Sequence, residues 1–414
     1  MVKIYLITPD KKDVLEGNPS ALLHLGEYIR KNSEHDVRIV NDIDEVENNS
    51  YVGISVTTAT YQKGLELARR LKKRGVKTIF GGYHTKGQGK FMINNPEVDH
   101  VVEGRGEKAL VDILDGNQKG AVYGKSNEFF SVKDLLDFDR DYFKTMTQFG
   151  RTNYISTYGC PYTCSFCASN GKLSKKGVRE VVDDLETLAK EGFTEISIQD
   201  NYFGYSPKRI KEICEEILSR EIKISWDCQT RVESMQDEGL LELMFEAGCD
   251  AIYIGTENFD MRILEKMRKT RNPEIYLDMT KKAINNMKRV GIKPYVNVQV
   301  GLSEENEEVR ENNVKALREL KVDVFFHLNV VYPGTSDFYN LVNDGVPEDI
   351  FETFTRWEEE NNDKIKKLLQ ENGLIHGVGG IPLAILDYES LKKKEFVIKV
   401  EEVNQVNEYL RRFK

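Results

Sequence analysis

The chain has 414 residues, of which 40% are hydrophobic and 31% charged, and carries a formal net charge of -9. That length exceeds one average domain, and the composition suits a globular protein with sizeable cores rather than a disordered chain. Basic residues are interspersed with acidic ones, no run of about 18 apolar residues occurs, and the opening MVKIYLITPD reads as a strand without the flanks of a signal peptide; a nucleic-acid groove, a membrane span and secretion are therefore not expected. The expected setting is the cytoplasm, with a small molecule or a peptide as substrate.

Residues 1–125 alternate strand and helix patterns: KIYLITP, NPSALLHLGEYIRKN, DVRIV, YVGISVT, YQKGLELARRLKKRG, KTIFGG and HVVEG. This succession predicts a doubly wound, Rossmann-like α/β domain. No G-x-G-x-x-G follows the first strand, so a dinucleotide is not indicated. Residues 126–150, with an acidic and aromatic middle, read as a connector that threads an interface between domains.

The segment STYGCPYTCSFCAS holds Cys160, Cys164 and Cys167, three of the six cysteines. In a reducing compartment, clustered thiols more often bind metal or catalyse than form disulfides. Structural zinc needs four ligands, and the nearest histidines in sequence, His100 and His327, are far away, so zinc is the weaker alternative. Three cysteines suit a [4Fe-4S] cluster whose fourth iron lacks a protein ligand. The C-x3-C-x2-C spacing, with aromatic Phe166 before the last cysteine, resembles the cluster motif of the radical S-adenosylmethionine enzymes. The resemblance implies that Cys160, Cys164 and Cys167 are cluster ligands and that the open iron chelates S-adenosylmethionine, which is cleaved to a 5'-deoxyadenosyl radical. It also implies that Phe166 packs beside the adenine, and that a flavodoxin or ferredoxin type protein donates the electron. Cys214, Cys228 and Cys249 have no short spacing and read as buried thiols rather than a second cluster.

From TNYISTYG to VDVFFHLNVV, six strand patterns alternate with amphipathic helices between about 152 and 331. This predicts a partial (β/α)6 barrel of the TIM type, with its site at the carboxyl ends of the strands. By resemblance, Gln199, Asp200 and Asn201 end strand two where the family contacts the amino group of S-adenosylmethionine. Gln229 and Arg231 end strand three, Glu257 ends strand four, Gly301 and Glu304 occupy the adenine-contact position of strand five, and Tyr332, Pro333 and Gly334 end strand six. Each singly reads as well as a turn or solvated residue.

The amino-terminal domain has its own resemblance. GISVTT and FGGYH match the S-x-[LT] and G-G features of cobalamin-binding domains, and VDHVVEGRGEKAL follows as in radical enzymes that carry such a domain. The resemblance, over residues 1 to about 335, is to the cobalamin-dependent radical S-adenosylmethionine class. It implies that Ser55, Thr57, Gly81, Gly82 and Gly104 line a cavity for the cobalamin nucleotide tail; the alternative is a degenerate fold that binds nothing. The D-x-H-x-x-G motif is missing, His24 falls in the first helix, and residues 8–20 offer no histidine, cysteine or methionine, so no strong axial ligand to cobalt is expected from that loop.

The partial barrel is taken as residues 151–345. Beyond it, residues 346–414 match no family. They read as a charged surface helix, a glycine-interrupted apolar stretch and a final helix, together a small extension capping the barrel, with Trp357, His376 and Tyr388 as substrate-contact candidates. The expected function is a methyltransferase that acts on an unactivated carbon through the deoxyadenosyl radical and methylcobalamin. The alternatives are a radical cyclase, ring-rearranging enzyme or epimerase, and, from another class, a non-catalytic cobalamin or redox sensor.

Overall fold

The computed structural model describes residues 1–9, 20–145, 147–148, 151–169, 171–302, 304–370, 381–382, 386–396, 398–399, 403, 405–406 and 408. Its first layer is a parallel sheet of six strands in the order β2-β1-β3-β4-β5-β6. These are β1 (Lys3–Ile7), β2 (Asp36–Ile39), β3 (Tyr51–Ser55), β4 (Lys77–Gly81), β5 (His100–Gly104) and β6 (Gly120–Gly124). Alternation along β1 sends Ile4 and Leu6 to one face, where they pack with Leu22, Leu23 and Ile29 of the helix Ser20–Asn32, and with Leu110 and Ile113 of Glu107–Leu114. Tyr5 and Ile7 go to the other face, against Tyr61, Leu65, Ala68 and Leu71 of the helix Tyr61–Lys72. Helices on both faces make the domain doubly wound, as the sequence pattern predicts. The edge strand β6 was not among the elements read from sequence, because GAVYG is short and bounded by glycines.

The connector contains a helix, Val132–Lys144, whose Ser131 cap accepts a hydrogen bond from Asp134 N. Its apolar side, Val132, Leu135, Leu136, Tyr142 and Phe143, is buried in a core shared by both domains. Backbone angles at Asp139 (φ -152°, ψ 89°) kink it there. The start of the helix is tied to the second domain through Asp184, whose carboxylate accepts from Val132 N at 2.7 Å and from Tyr154 Oη at 2.9 Å and pairs with buried Lys176.

The second domain is a curved sheet in the order β15-β14-β13-β12-β11-β8-β7. Strands β8 (Arg151–Tyr154), β11 (Glu195–Ile198), β12 (Ser225–Thr230), β13 (Cys249–Glu257), β14 (Lys293–Val300) and β15 (Asp323–Leu328) run parallel. The two-residue β7 (Thr147–Gln148) adds antiparallel to β8. Between β8 and β11, a short hairpin pairs β9 (Thr157–Tyr158) with β10 (Ser174–Lys175). The architecture is the α/β pair expected from the sequence: a Rossmann-like domain, then a six-strand partial barrel.

The helix Ile350–Gln370 departs from the surface helix read from its charges. Ile350, Phe351 and Phe354 are fully buried, Tyr61 Oη donates to the Glu352 carboxylate at 3.1 Å, and Gln62 Nε2 donates to Thr355 Oγ1 at 2.8 Å. The helix therefore docks on the amino-terminal domain through an apolar stripe that the flanking charges obscure in sequence. The expected apolar stretch and final helix beyond it fall mostly outside the described residues, as does His376.

Replacing Asp184 with Ala would leave the Lys176 ammonium buried without its counter-ion, a change that costs about 3–5 kcal/mol. Denaturant unfolding followed by circular dichroism should show that loss for Asp184→Ala. Arg140→Ala, which removes an exposed pair with Glu191, should leave the unfolding midpoint nearly unchanged, since solvent screens such a pair.

Candidate functional site

The loop from Ser156 to Ser169 has little regular structure, so its backbone groups are satisfied by neighbours. Asp200 Oδ1 accepts from Ser156 N at 2.6 Å and Thr157 N at 2.9 Å, and Ser156 Oγ donates to Oδ2 at 2.6 Å. Gly159 sits at φ +80°, where a Cβ would lie 2.4 Å from Lys172 O, so the position before Cys160 requires glycine. Ser165 N donates to Met267 O at 2.9 Å, Gly171 N to Cys160 O at 2.9 Å, and Cys167 N to Cys164 O at 3.2 Å. Ser169 N points at Cys167 Sγ from 3.3 Å, and Arg231 Nη1 at Cys164 Sγ from 3.6 Å.

Burial raises all three thiols, while Lys269 and Arg231 pull Cys160 and Cys164 the other way. The donor set is thus three sulfurs that need a cationic partner to stay deprotonated, with two fixed cations beside them. No three Cys, His, Asp or Glu among the described residues converge on a single-ion site.

Around this loop the strand ends contribute unequally. Phe166 packs on Ile263, Met267 and Val309 with Leu302. Arg231, buried, stacks 3.7 Å over the Tyr162 ring and bonds Lys269 O and Glu233. Asp200 is also buried, with both carboxylate oxygens holding the cysteine loop, which makes it an anchor rather than a free ligand group. Gln199 bonds Ser197 and accepts from Gln229 Nε2 at 2.9 Å on the barrel interior, while Asn201 is exposed to the cavity between the domains.

Glu257 adopts φ 71°, unusual for a residue with a side chain, and its carboxylate accepts from Lys269 Nζ at 3.0 Å and Gln299 Nε2 at 2.8 Å. Burial works to raise the Glu257 carboxyl, but Lys269 and Gln299 outweigh it and hold it low. Asn329 Nδ2 extends the chain to Gln299 Oε1 at 2.7 Å. Lys269, Gln299 and Asn329 were not singled out from sequence. In β14 the signal was available, since Val296, Val298 and Val300 are wholly buried on one face and Tyr295, Asn297 and Gln299 take the other.

At strand five, Gly301 N donates to Glu305, not Glu304. Glu304 is exposed and pairs with Lys266, whereas buried Glu305 is pushed up to about 7 by its burial. Glu304 lines the same cavity as Gly301 and Glu305, so the pair expected from the sequence lies together there. Tyr332 O accepts from Thr335 Oγ1 at 2.7 Å, Pro333 is buried, and Gly334 abuts Lys86 of the first domain. Tyr388 bonds Asp344 at 3.2 Å on a cavity of about 570 Å³ that Gly301 and Glu305 also line. Trp357 packs against Phe354 and Phe396, away from that cavity. Cys214, Cys228 and Cys249 lie buried near one another, with Cys214 pushed up to about 12 by burial, as inert core thiols.

A cavity of about 1010 Å³ lies where the two domains meet. Ser55, Thr57, Gly82, Tyr83 and Gly104 line it from the first domain, and Gly159, Ala168, Ser169 and Asn201 from the second. It opens at the carboxyl ends of β1 and β3, where the strand order reverses, the usual ligand position in such sheets. Gly82, at φ +100°, is required by the backbone itself: a Cβ there would lie 2.4 Å from Val56 O. Gly81 instead lines a narrower slot behind, of about 140 Å³, shared with Ser55, Gly82, Gly104 and His24. Residues 10–19 of the loop after β1, on which the axial-ligand expectation rests, lie outside the described residues. No helix among those described is long and apolar enough to cross a membrane.

The model of the Radical SAM superfamily matches residues 154–317, and that of the B12 binding domain matches residues 27–114. An uncharacterized methyltransferase of Pyrococcus horikoshii, PH0819, is 28% identical over 386 residues, covering 81% of this chain and 82% of that protein. The anaerobic magnesium-protoporphyrin IX monomethyl ester cyclase of Rubrivivax gelatinosus is 26% identical over 362 residues, with 74% of this chain and 63% of the cyclase covered. In fold, the chain resembles the radical S-adenosylmethionine methyltransferase TsrM of Kitasatospora setae, solved with cobalamin and a [4Fe-4S] cluster. The TM-score is 0.68 at 17% identity, over 83% of this chain and 78% of that one. The family of the second domain implies a [4Fe-4S] cluster and S-adenosylmethionine, and the first domain implies cobalamin. The chain carries a B12-binding domain followed by a radical SAM domain, and belongs to the cobalamin-dependent radical SAM enzyme family.

Proposed function

We propose that the chain is a methyltransferase acting on an unactivated carbon of a small molecule or peptide. The observation that carries this reading is the cavity of about 1010 Å³, walled on one side by Ser55, Thr57, Gly82 and Gly104 and on the other by the cysteine loop. When bound, the cluster and S-adenosylmethionine would supply a hydrogen-abstracting radical, and cobalamin a transferable methyl group. The chain's own part is to hold the two close and keep water out. Lys86 joins the domains across the cavity by bonding Ala168 O beside Cys167. Cys160, Cys164 and Cys167 would hold the cluster, Phe166 the adenosyl side, and Arg231 and Lys269 the fixed positive charge that buried thiolates need. Ser55, Thr57, Gly81, Gly82 and Gly104 would border the cobalamin. A low-potential donor of the flavodoxin or ferredoxin type would supply electrons.

The barrel interior gives the substrate a mixed surface. Asn297 and His327 lie 3.1 Å apart across β14 and β15, while Tyr253 and Tyr295 stack with ring centroids 4.8 Å apart and Phe325 tilts against both. Such an aromatic cluster suits an apolar portion, with the polar side chains directing polar groups. The likeness to a cyclase favours one second reading, ring formation or rearrangement without net methylation.

Anaerobic reconstitution should load about four irons per chain, and the triple Cys160, Cys164 and Cys167→Ala variant should hold none as a cluster and cleave no S-adenosylmethionine. Iron content should not change on replacing Cys214, Cys228 or Cys249 with Ala. A full cluster in the triple variant would refute the ligand assignment.

Methylation consumes one S-adenosylmethionine for each role. With reductant, substrate and S-adenosylmethionine carrying a deuterated methyl group, mass spectrometry should detect 5'-deoxyadenosine and S-adenosylhomocysteine rising together. Deoxyadenosine alone, from protein shown to contain cobalamin, would favour the cyclase reading.

A further inference from the structure

Behind the large cavity, the slot of about 140 Å³ runs between the sheet and the helix Ser20–Asn32. Its walls are mostly apolar or bare backbone, including Leu6, Gly53, Ile79, Gly81 and Val102. Ser55, Gly82, Gly104, Arg105 and Tyr158 line both spaces, so the slot opens into the cavity. Its volume is close to the ~150 Å³ that encloses one benzene ring in a protein interior, and because it opens into the cavity a fused bicyclic ring can enter it from one end.

One polar side chain in this wall has no hydrogen-bond partner among the described residues. His24 is 5% exposed, and its imidazole makes no hydrogen bond to any described residue; Nδ1 is wholly buried, and Nε2 is the ring nitrogen that keeps accessible surface for an occupant of the slot to meet. Its contacts are ring contacts, to Phe130 at 5.8 Å and Tyr158 at 6.4 Å. Buried polar groups are nearly always paired, and an orphan beside an open slot points to a partner that enters it. Burial pushes the His24 pKa down to about 3, and Lys176 and Arg105 act in the same direction. Both of those cations are held by carboxylates of their own, Asp184 and Glu107. The ring is therefore neutral at physiological pH, with one N–H to donate and one nitrogen to accept.

The chemistry that matches is a flat heterocycle with an acceptor nitrogen. A benzimidazole joined to ribose through one nitrogen keeps one imine nitrogen, which is an acceptor only. We propose that His24 donates a hydrogen bond to the imine nitrogen of the cobamide's lower base, lodged in this slot. The assignment rests on the cobalamin reading above. It makes His24 a specificity-determining residue: it selects lower bases that carry an imine nitrogen, and it occupies the nitrogen that would otherwise return to cobalt.

Three corrinoids measured by equilibrium dialysis against the full chain separate the possibilities: cobalamin, cobinamide, which lacks the nucleotide tail, and a phenolyl cobamide, whose lower ring has no nitrogen. Free cobalamin must release its base from cobalt to enter the slot and the phenolyl cobamide need not, so the readout is the ratio of the two affinities. Wild type should favour cobalamin in that ratio roughly five- to tenfold more than His24→Leu does, the scale of one neutral hydrogen bond; His24→Gln should fall between them, and cobinamide should bind all three proteins alike. The same ratio in wild type as in His24→Leu and His24→Gln, each shown folded by circular dichroism, would overturn the assignment. So would a His24→Leu protein that weakens all three corrinoids equally, which would mark a structural role. If wild type binds neither cobalamin nor cobinamide, the cobalamin reading itself falls, and the assignment with it.

Discussion

A loop that carries three cysteines and almost no secondary structure keeps its thiols in register only if other elements complete its hydrogen bonds. Here those elements come from around the rim. Asp200 just after the second barrel strand holds its start, Met267 beyond the fourth strand and Asp337 beyond the sixth hold its middle, and Arg231 after the third strand reaches Cys164. Lys86 from the first domain reaches Ala168. Loss of any one leaves a buried polar group unmet, so the loop's geometry depends on both domains being in place.

The same dependence explains how the two domains are joined. The helix Val132–Lys144 packs its apolar side into a core that runs continuously from the first sheet to the barrel helices. On another side, Phe351 of the helix Ile350–Gln370 is buried against His84 of the first domain, and Tyr61 of that domain bonds Glu352. Two separate attachments resist a hinge motion better than one. A fixed cavity between them fits chemistry in which a radical must meet a methyl donor before it meets solvent.

Much of this was legible in the residues. Period-two and period-3.6 patterns were strong because the strands are parallel and buried and the helices amphipathic, and the cysteine spacing is local, so both survive in one dimension. Side chains whose role depends on a partner distant in sequence were not. Asp200 read as a ligand group until Ser156 and Thr157 were seen to bond both its oxygens. Lys269 sits in a charged stretch, EKMRKT, where nothing marks it as the one buried cation facing Glu257. That Glu305 holds Gly301 N depends on a turn that the sequence does not display. His24 looked like ordinary helix packing, and only the slot beside it shows that its ring lacks a partner.

The proposed function requires two cofactor sites that share one cavity. The most direct test is an anaerobic crystal structure of the chain loaded with cluster, cobalamin and S-adenosylmethionine. It should place cobalt in the space walled by Ser55, Gly82 and Gly104, with one corrin face turned toward the loop of Cys160, Cys164 and Cys167. Cobalt bound outside that space, or a corrin turned away from the cysteine loop, would contradict it.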